Sequence, residues 1–237
     1  MDTDQFDKMR IAADEPKNDP KSLEKFNTSV EILKSMNSNI QFKLALDKEN
    51  AIDEYQYLAS NIATSFSCTC NYHQKLDENK ERLWYVCNAP DKPNTFLHSP
   101  LAETRLIGSL TVLFGYQGFL RWGYTCWTKN PREDIRFATQ GFPVGDLNLV
   151  YPEENGDIAL SLRYKALKRA VEDYELYYQL RKQNKTHVVT KAFAMVQLNT
   201  NTNEYMRNRK QTHDNLHSLD YQEYDRMRNY LIQELIS

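Results

Sequence analysis

The chain has 237 residues, with 30 Lys+Arg against 32 Asp+Glu and a formal net charge of −2. That balance gives no basic face for nucleic acid, and no apolar run approaches the roughly 18 residues needed to span a bilayer. The N-terminus MDTDQFDKMR has no signal-peptide core, so the chain as it stands reads as cytoplasmic, with neither a membrane nor a nucleic acid as partner.

Helices and strands alternate over the first two-thirds. An apolar run over residues 8–13 ends at Asp14-Glu15-Pro16. Asp19-Pro20 reads as N-cap and first residue of a helix reaching Met36, with Leu23, Phe26, Val30 and Leu33 on one face. Ile40 to Leu46 alternates apolar with polar residues at the period of a strand. A short helix over 50–59 leads to a third apolar run, Ile62 to Cys70. A polar stretch from His73 to Arg82 then precedes a strand at 83–89. Ser99-Pro100 opens a helix closed by Gly115, and Gly118 to Trp127 begins with the last strand, 118–123. This β-α-β-α order implies a parallel sheet with crossover helices.

All seven glycines lie between Gly108 and Gly156, and no proline follows Pro152. An all-β sandwich needs turn residues throughout and does not fit. The pattern suggests a glycine-bearing loop region over 128–160, then a helical tail. Ser161 caps a helix to about Lys182, a further helix falls near 187–198, and the polar stretch 199–217 reads as mobile. A final helix starts at Asp220. Cys68, Cys70, Cys87 and Cys126 form no CxxC, and no HExxH exists, so free thiols and no metal or cofactor are expected.

Two features carry chemistry. Asp14-Glu15 ends a strand, and ligands of parallel α/β folds bind at the carboxyl ends of strands. Adjacent carboxylates there can divide labour, one ionised while the other donates a proton. All three tryptophans lie between residues 84 and 127, and Trp122, Tyr124 and Trp127 stand at or past a strand end. Flat aromatic faces near carboxylates suit a sugar, whose C–H faces stack on π-systems.

The string Trp84-Tyr85-Val86-Cys87, then Pro93-Asn94-Thr95-Phe96 and Arg105-Leu106-Ile107-Gly108, resembles the catalytic region of glycoside hydrolase family 123. The likeness continues through Gly118-Phe119-Leu120-Arg121-Trp122-Gly123-Tyr124, Trp127, Gly145-Asp146, Leu149-Val150-Tyr151-Pro152, Ser161-Leu162-Arg163 and Glu172-Asp173-Tyr174-Glu175-Leu176. It spans about residues 8–182. It implies an α/β fold, a (β/α)8 barrel, whose Asp-Glu pair follows the fourth strand, and a β-N-acetylgalactosaminidase working by substrate-assisted retention. Asp14 would orient the substrate acetamide and Glu15 would serve as acid and base. Tyr85, Trp122, Tyr124 and Trp127 would wall the sugar pocket, with Asn94 and Asp146 as hydroxyl partners.

Strands at 8–13, 40–46, 62–69, 83–89 and 118–123 make five where a barrel has eight. The chain is therefore expected to be the C-terminal part of the barrel, about strands 4 to 8. On that division residues 1–182 form the partial barrel and 183–237 a helical extension. Either a separate chain supplies the missing half-barrel or the chain is a truncated product. The alternative to a glycosidase acting on a glycan is a non-catalytic fragment keeping a sugar-binding or partner-docking surface.

Overall fold

The computed structural model describes residues 10–48, 55, 61–66, 80–133, 142–206 and 215–237. The chain forms two compact units, one of Met1–Tyr85 with Tyr116–Leu120, the other of Val86–Gly115 with Arg121–Ser237.

The first unit holds five strands, β1 (Arg10–Asp14), β2 (Gln41–Leu46), β3 (Asn61–Ser65), β4 (Glu81–Tyr85) and β5 (Gly118–Leu120), with helix α1 (Pro20–Met36) between the first two. They pair in sequence order β1-β2-β3-β4-β5, every pair parallel. Helix α1 starts as its sequence dictates: the Asp19 carboxylate accepts from Ser22 N–H at 2.9 Å and from the Ser22 hydroxyl at 2.8 Å, with Pro20 leading the first turn. One sheet face buries the large residues Phe42, Leu44, Leu46, Ile62 and Trp84. Phe26 of α1 meets Phe42 edge-on at 6.3 Å, and Trp84 meets Phe119 at 4.9 Å. The other face is small: Ala45 and Ala63 pack with Tyr85, Leu83 and Leu120. Of the helix expected over 50–59 only Tyr55 lies within the described residues, and Cys68 and Cys70 lie outside them.

Two strands are shorter than their hydrophobicity suggests. The strand expected at 83–89 occupies Glu81–Tyr85, and that expected at 118–123 stops at Leu120. Val86 is buried, but its carbonyl accepts from the Arg121 guanidinium rather than from a neighbouring strand. Apolar character past Tyr85 therefore marks a buried loop, not a longer ladder.

The second unit is built on helices α2 (Leu101–Leu113), α3 (Leu162–Lys182), α4 (Thr186–Met195) and α5 (Tyr221–Ile236). Every residue of α2 from Ala102 to Val112 is buried, the polar Glu103, Arg105 and Ser109 among them taking hydrogen-bond partners inside the unit. Gly108 is needed where α2 crosses α3, because a Cβ there would collide with the Ala170 carbonyl. Buried charge crosses the same helices: Arg105 Nε donates to Asp173 at 2.5 Å, and Arg228 of α5 donates to the same carboxylate at 2.7 Å. The caps are those expected. Ser161 accepts from Tyr164 N–H at 3.1 Å, and Asp220 from Gln222 N–H at 2.9 Å.

The region 128–160, read as irregular, contains an antiparallel hairpin, β6 (Val150–Pro152) with β7 (Ile158–Leu160). Three-residue strands, one carrying a proline, leave too little periodicity to detect. The stretch 199–217, read as mobile, is ordered at Thr202–Met206 by buried Tyr205, whose hydroxyl lies 3.2 Å from the Asn199 carbonyl and 3.3 Å from that of Leu216. Residues 207–214 lie outside the described part. Among the described residues no helix is long and apolar enough to cross a membrane.

Candidate active site

In the first unit, β1 ends at Asp14, in register with Ala45 of β2. Pro16 has no N–H to continue a ladder. Glu15 takes φ +38°, a backbone conformation that costs a non-glycine residue free energy and recurs at functional sites. The side chain of Asp14 lies outside the described part of the structure.

Tyr85 is the last residue of β4, so it and Glu15 share the carboxyl edge of the parallel sheet. The Tyr85 hydroxyl donates to Glu15 Oε1 at 2.6 Å across 70 positions of sequence. The alanines at 45 and 63, on the strands between, keep this face low enough for the tyrosine ring to lie over them. Tyr85 is only 4% exposed, whereas Glu15 is exposed. Tyr85, expected to wall a sugar pocket, lies mostly buried with its hydroxyl on the carboxylate. A held, exposed carboxylate at a strand end is suited to proton transfer.

In the second unit, Trp122 is 38% and Tyr124 39% exposed. Gly123 between them lets the chain lie against Leu147, whose backbone would stand 2.7 Å from an added Cβ. Trp122 packs on Phe142 with ring centroids 4.9 Å apart, and Tyr164 meets Tyr124 edge-on at 6.5 Å. Burial raises the Tyr124 pKa. Trp127 is tied in, its indole N–H donating to the Val150 carbonyl at 2.7 Å.

Asn94 and Asp146, expected as hydroxyl partners, have no exposed surface. Asn94 Nδ2 donates to the carbonyls of Cys87 and Pro90, both at 2.8 Å, and Oδ1 accepts from Thr95 N–H at 2.8 Å. Its polar capacity is used in holding the 87–95 loop. Asp146 is ion-paired with buried Arg121, which also donates to the Asp146 carbonyl and to that of Val86. Burial raises the Asp146 pKa while Arg121 pulls it down. Both residues hold loops from inside the second unit.

Two organising residues escaped the sequence reading as such. One is Arg121. The other is Arg163, whose guanidinium donates to the carbonyls of Thr95 at 2.8 Å, Gly145 at 2.6 Å and Asn148 at 2.8 Å. The signal was a lone cation inside an apolar run, FLRWG or SLRY, which demands buried partners. Among the described residues, no group of three His, Cys, Asp or Glu side chains is placed to hold a metal ion.

A parallel α/β sheet with a carboxylate held at its carboxyl edge defines a class of enzyme-like folds, and comparison narrows it. Residues 1–180 match the family described as "Glycoside hydrolase 123, catalytic domain". The chain belongs to that family and is glycoside hydrolase-like. Among solved structures it is similar in fold to a family 123 glycoside hydrolase from Clostridium perfringens, reported in a study of glycolipid glycan hydrolysis. The TM-score is 0.64 at 19% identity, covering 96% of this chain and 41% of that one. The chain thus spans less than half the length of that neighbour. No curated protein matches it.

Proposed function

We propose that this chain carries the acid/base machinery of a β-N-acetylgalactosaminidase, its five strands corresponding to strands 4 to 8 of a (β/α)8 barrel. The observation that carries the reading is the Tyr85 hydroxyl on Glu15 Oε1 at the carboxyl edge of the sheet. Family membership supports hydrolysis of a glycosidic bond in a glycan.

The proposed reaction is substrate-assisted, outside the usual scheme of two enzyme carboxylates. The substrate's acetamido oxygen attacks the anomeric carbon, Glu15 protonates the leaving oxygen, and the glycosidic C–O bond breaks. Asp14 accepts from the acetamide N–H and stabilises the cationic oxazoline ring. Glu15, now ionised, takes a proton from water as that water opens the ring, so configuration is retained. Tyr85 acts through Glu15 as a positioning residue. In the second unit, the exposed faces of Trp122 and Tyr124 are proposed surfaces for stacking sugar rings.

The test is turnover of an aryl β-N-acetylgalactosaminide by the chain beside its Glu15→Gln variant. Activity in the parent that falls by two orders of magnitude or more in the variant is expected. Equal turnover refutes the assignment to Glu15. Hydrolysis of an aryl N-acetylglucosaminide in its place refutes the epimer.

A further inference from the structure

The second unit contains a cavity of about 490 Å3 that the proposed reaction does not use. Its walls include Lys92, Glu103, Gln197, Asn215, His217 and Ser218. Glu103, third residue of α2, has no exposed surface. Its Oε2 accepts from Asn94 N–H at 2.9 Å, while Oε1, equally buried, has no hydrogen-bond partner among the described residues. A buried carboxyl oxygen left without a partner is costly and calls for an occupant that supplies one.

The walls also restrict the occupant's chemistry. Among the described lining residues Leu219 is the one apolar side chain and there is no Phe, Tyr or Trp, so recognition there works through hydrogen bonds. Lys92 offsets the ionised form of Glu103, so no fixed excess of negative charge selects a cation. Gln197, Asn215, His217 and Ser218 can each donate and accept.

We propose that this cavity is a second ligand site, taking a small neutral polyol of monosaccharide size that sets a hydroxyl against Glu103 Oε1. Burial pushes the Glu103 carboxyl up to about 7, so its ionised and neutral forms coexist near neutrality. A hydroxyl donates to the first form and accepts from the second. An ammonium meets only the ionised form and a carboxylate only the neutral one. The volume lies within the range of small-molecule sites. This inference stands independently of the hydrolytic reading, because no residue of the cavity takes part in that reaction.

The experiment is titration of the 15N-labelled chain with galactose into the tens of millimolar at neutral pH, reading the backbone amides of residues 102–105 and 215–219. Glycine is the zwitterionic control, and Glu15→Gln is carried alongside to separate this site from the proposed catalytic one. Saturable shifts on those amides with galactose are expected, unchanged by Glu15→Gln. Glu103→Gln, whose amide a hydroxyl still meets, weakens binding by no more than about threefold, and Glu103→Met by about tenfold or more. Leu219→Trp, at a position 54% exposed and so tolerant of bulk, fills the cavity and abolishes the shifts. Absence of saturable shifts, shifts unaltered by Glu103→Met and Leu219→Trp, or a response to glycine in place of galactose overturns the proposal.

Discussion

Glu103→Gln makes the buried carboxyl measurable through stability alone. In the folded chain its pKa lies at about 7 against an ordinary value of 4.5, chiefly through burial, with the Asn94 N–H bond and Lys92 pulling the other way. Asp91, His98, His217 and Tyr224 are the other titratable groups that face it among the described residues. Between these two values the folded state keeps a proton that the unfolded chain has released. The contribution of Glu103 is therefore fully present below about pH 4.5 and lost as pH rises through about 7. At about 1.4 kcal/mol per unit, the difference amounts to about 3 kcal/mol. Glutamine stays neutral at every pH and keeps an oxygen for Asn94 N–H. Urea midpoints for parent and variant should then nearly coincide at about pH 4, and at about pH 8 the variant should be the more stable by about 3 kcal/mol. A gap between the two that is the same at both pH values refutes the burial argument.

Tyr85→Phe removes only the hydroxyl that orients Glu15, so kcat/KM for the aryl N-acetylgalactosaminide should fall by about tenfold to a hundredfold, the worth of a hydrogen bond to a charged group. Unchanged kinetics would show that Glu15 needs no positioning. Asp173→Ala strips the carboxylate shared by Arg105 and Arg228 and leaves the fully buried Arg105 with the exposed Asp225 as its remaining ion-pair partner among the described residues. Urea unfolding should record a loss of about 3–5 kcal/mol, against under about 1 kcal/mol for Glu153→Ala at the exposed Arg132 pair.

Much of the architecture was legible because it rests on local chemistry. Asp19, Ser161 and Asp220 cap helices within three residues of themselves, and the alternation at 41–46 becomes β2 with Phe42, Leu44 and Leu46 buried. Asp14-Glu15 could be placed at a strand end because Pro16 follows. What was not legible depends on distant partners. The bond between Tyr85 and Glu15 spans 70 positions, and no spacing rule links them. Asn94 and Asp146 look like free polar groups in sequence, and only the folded chain shows their oxygens and amide committed to Cys87, Pro90, Thr95 and Arg121. The end of β4 was misjudged because burial of Val86 in a loop and burial in a strand look alike one residue at a time.

The Arg163 guanidinium grips three main-chain carbonyls, those of Thr95, Gly145 and Asn148, and a carbonyl carries no record of the side chain beside it. A fastening of that kind is indifferent to what the loops are made of. Loop side chains that point to solvent can change while the backbone keeps its course, provided Arg163, Asn94 and the Arg121–Asp146 pair stay. Variation in what the loops present to solvent is thereby separated from variation in where they run, and the freedom to change the first rests on a few buried polar groups that have none.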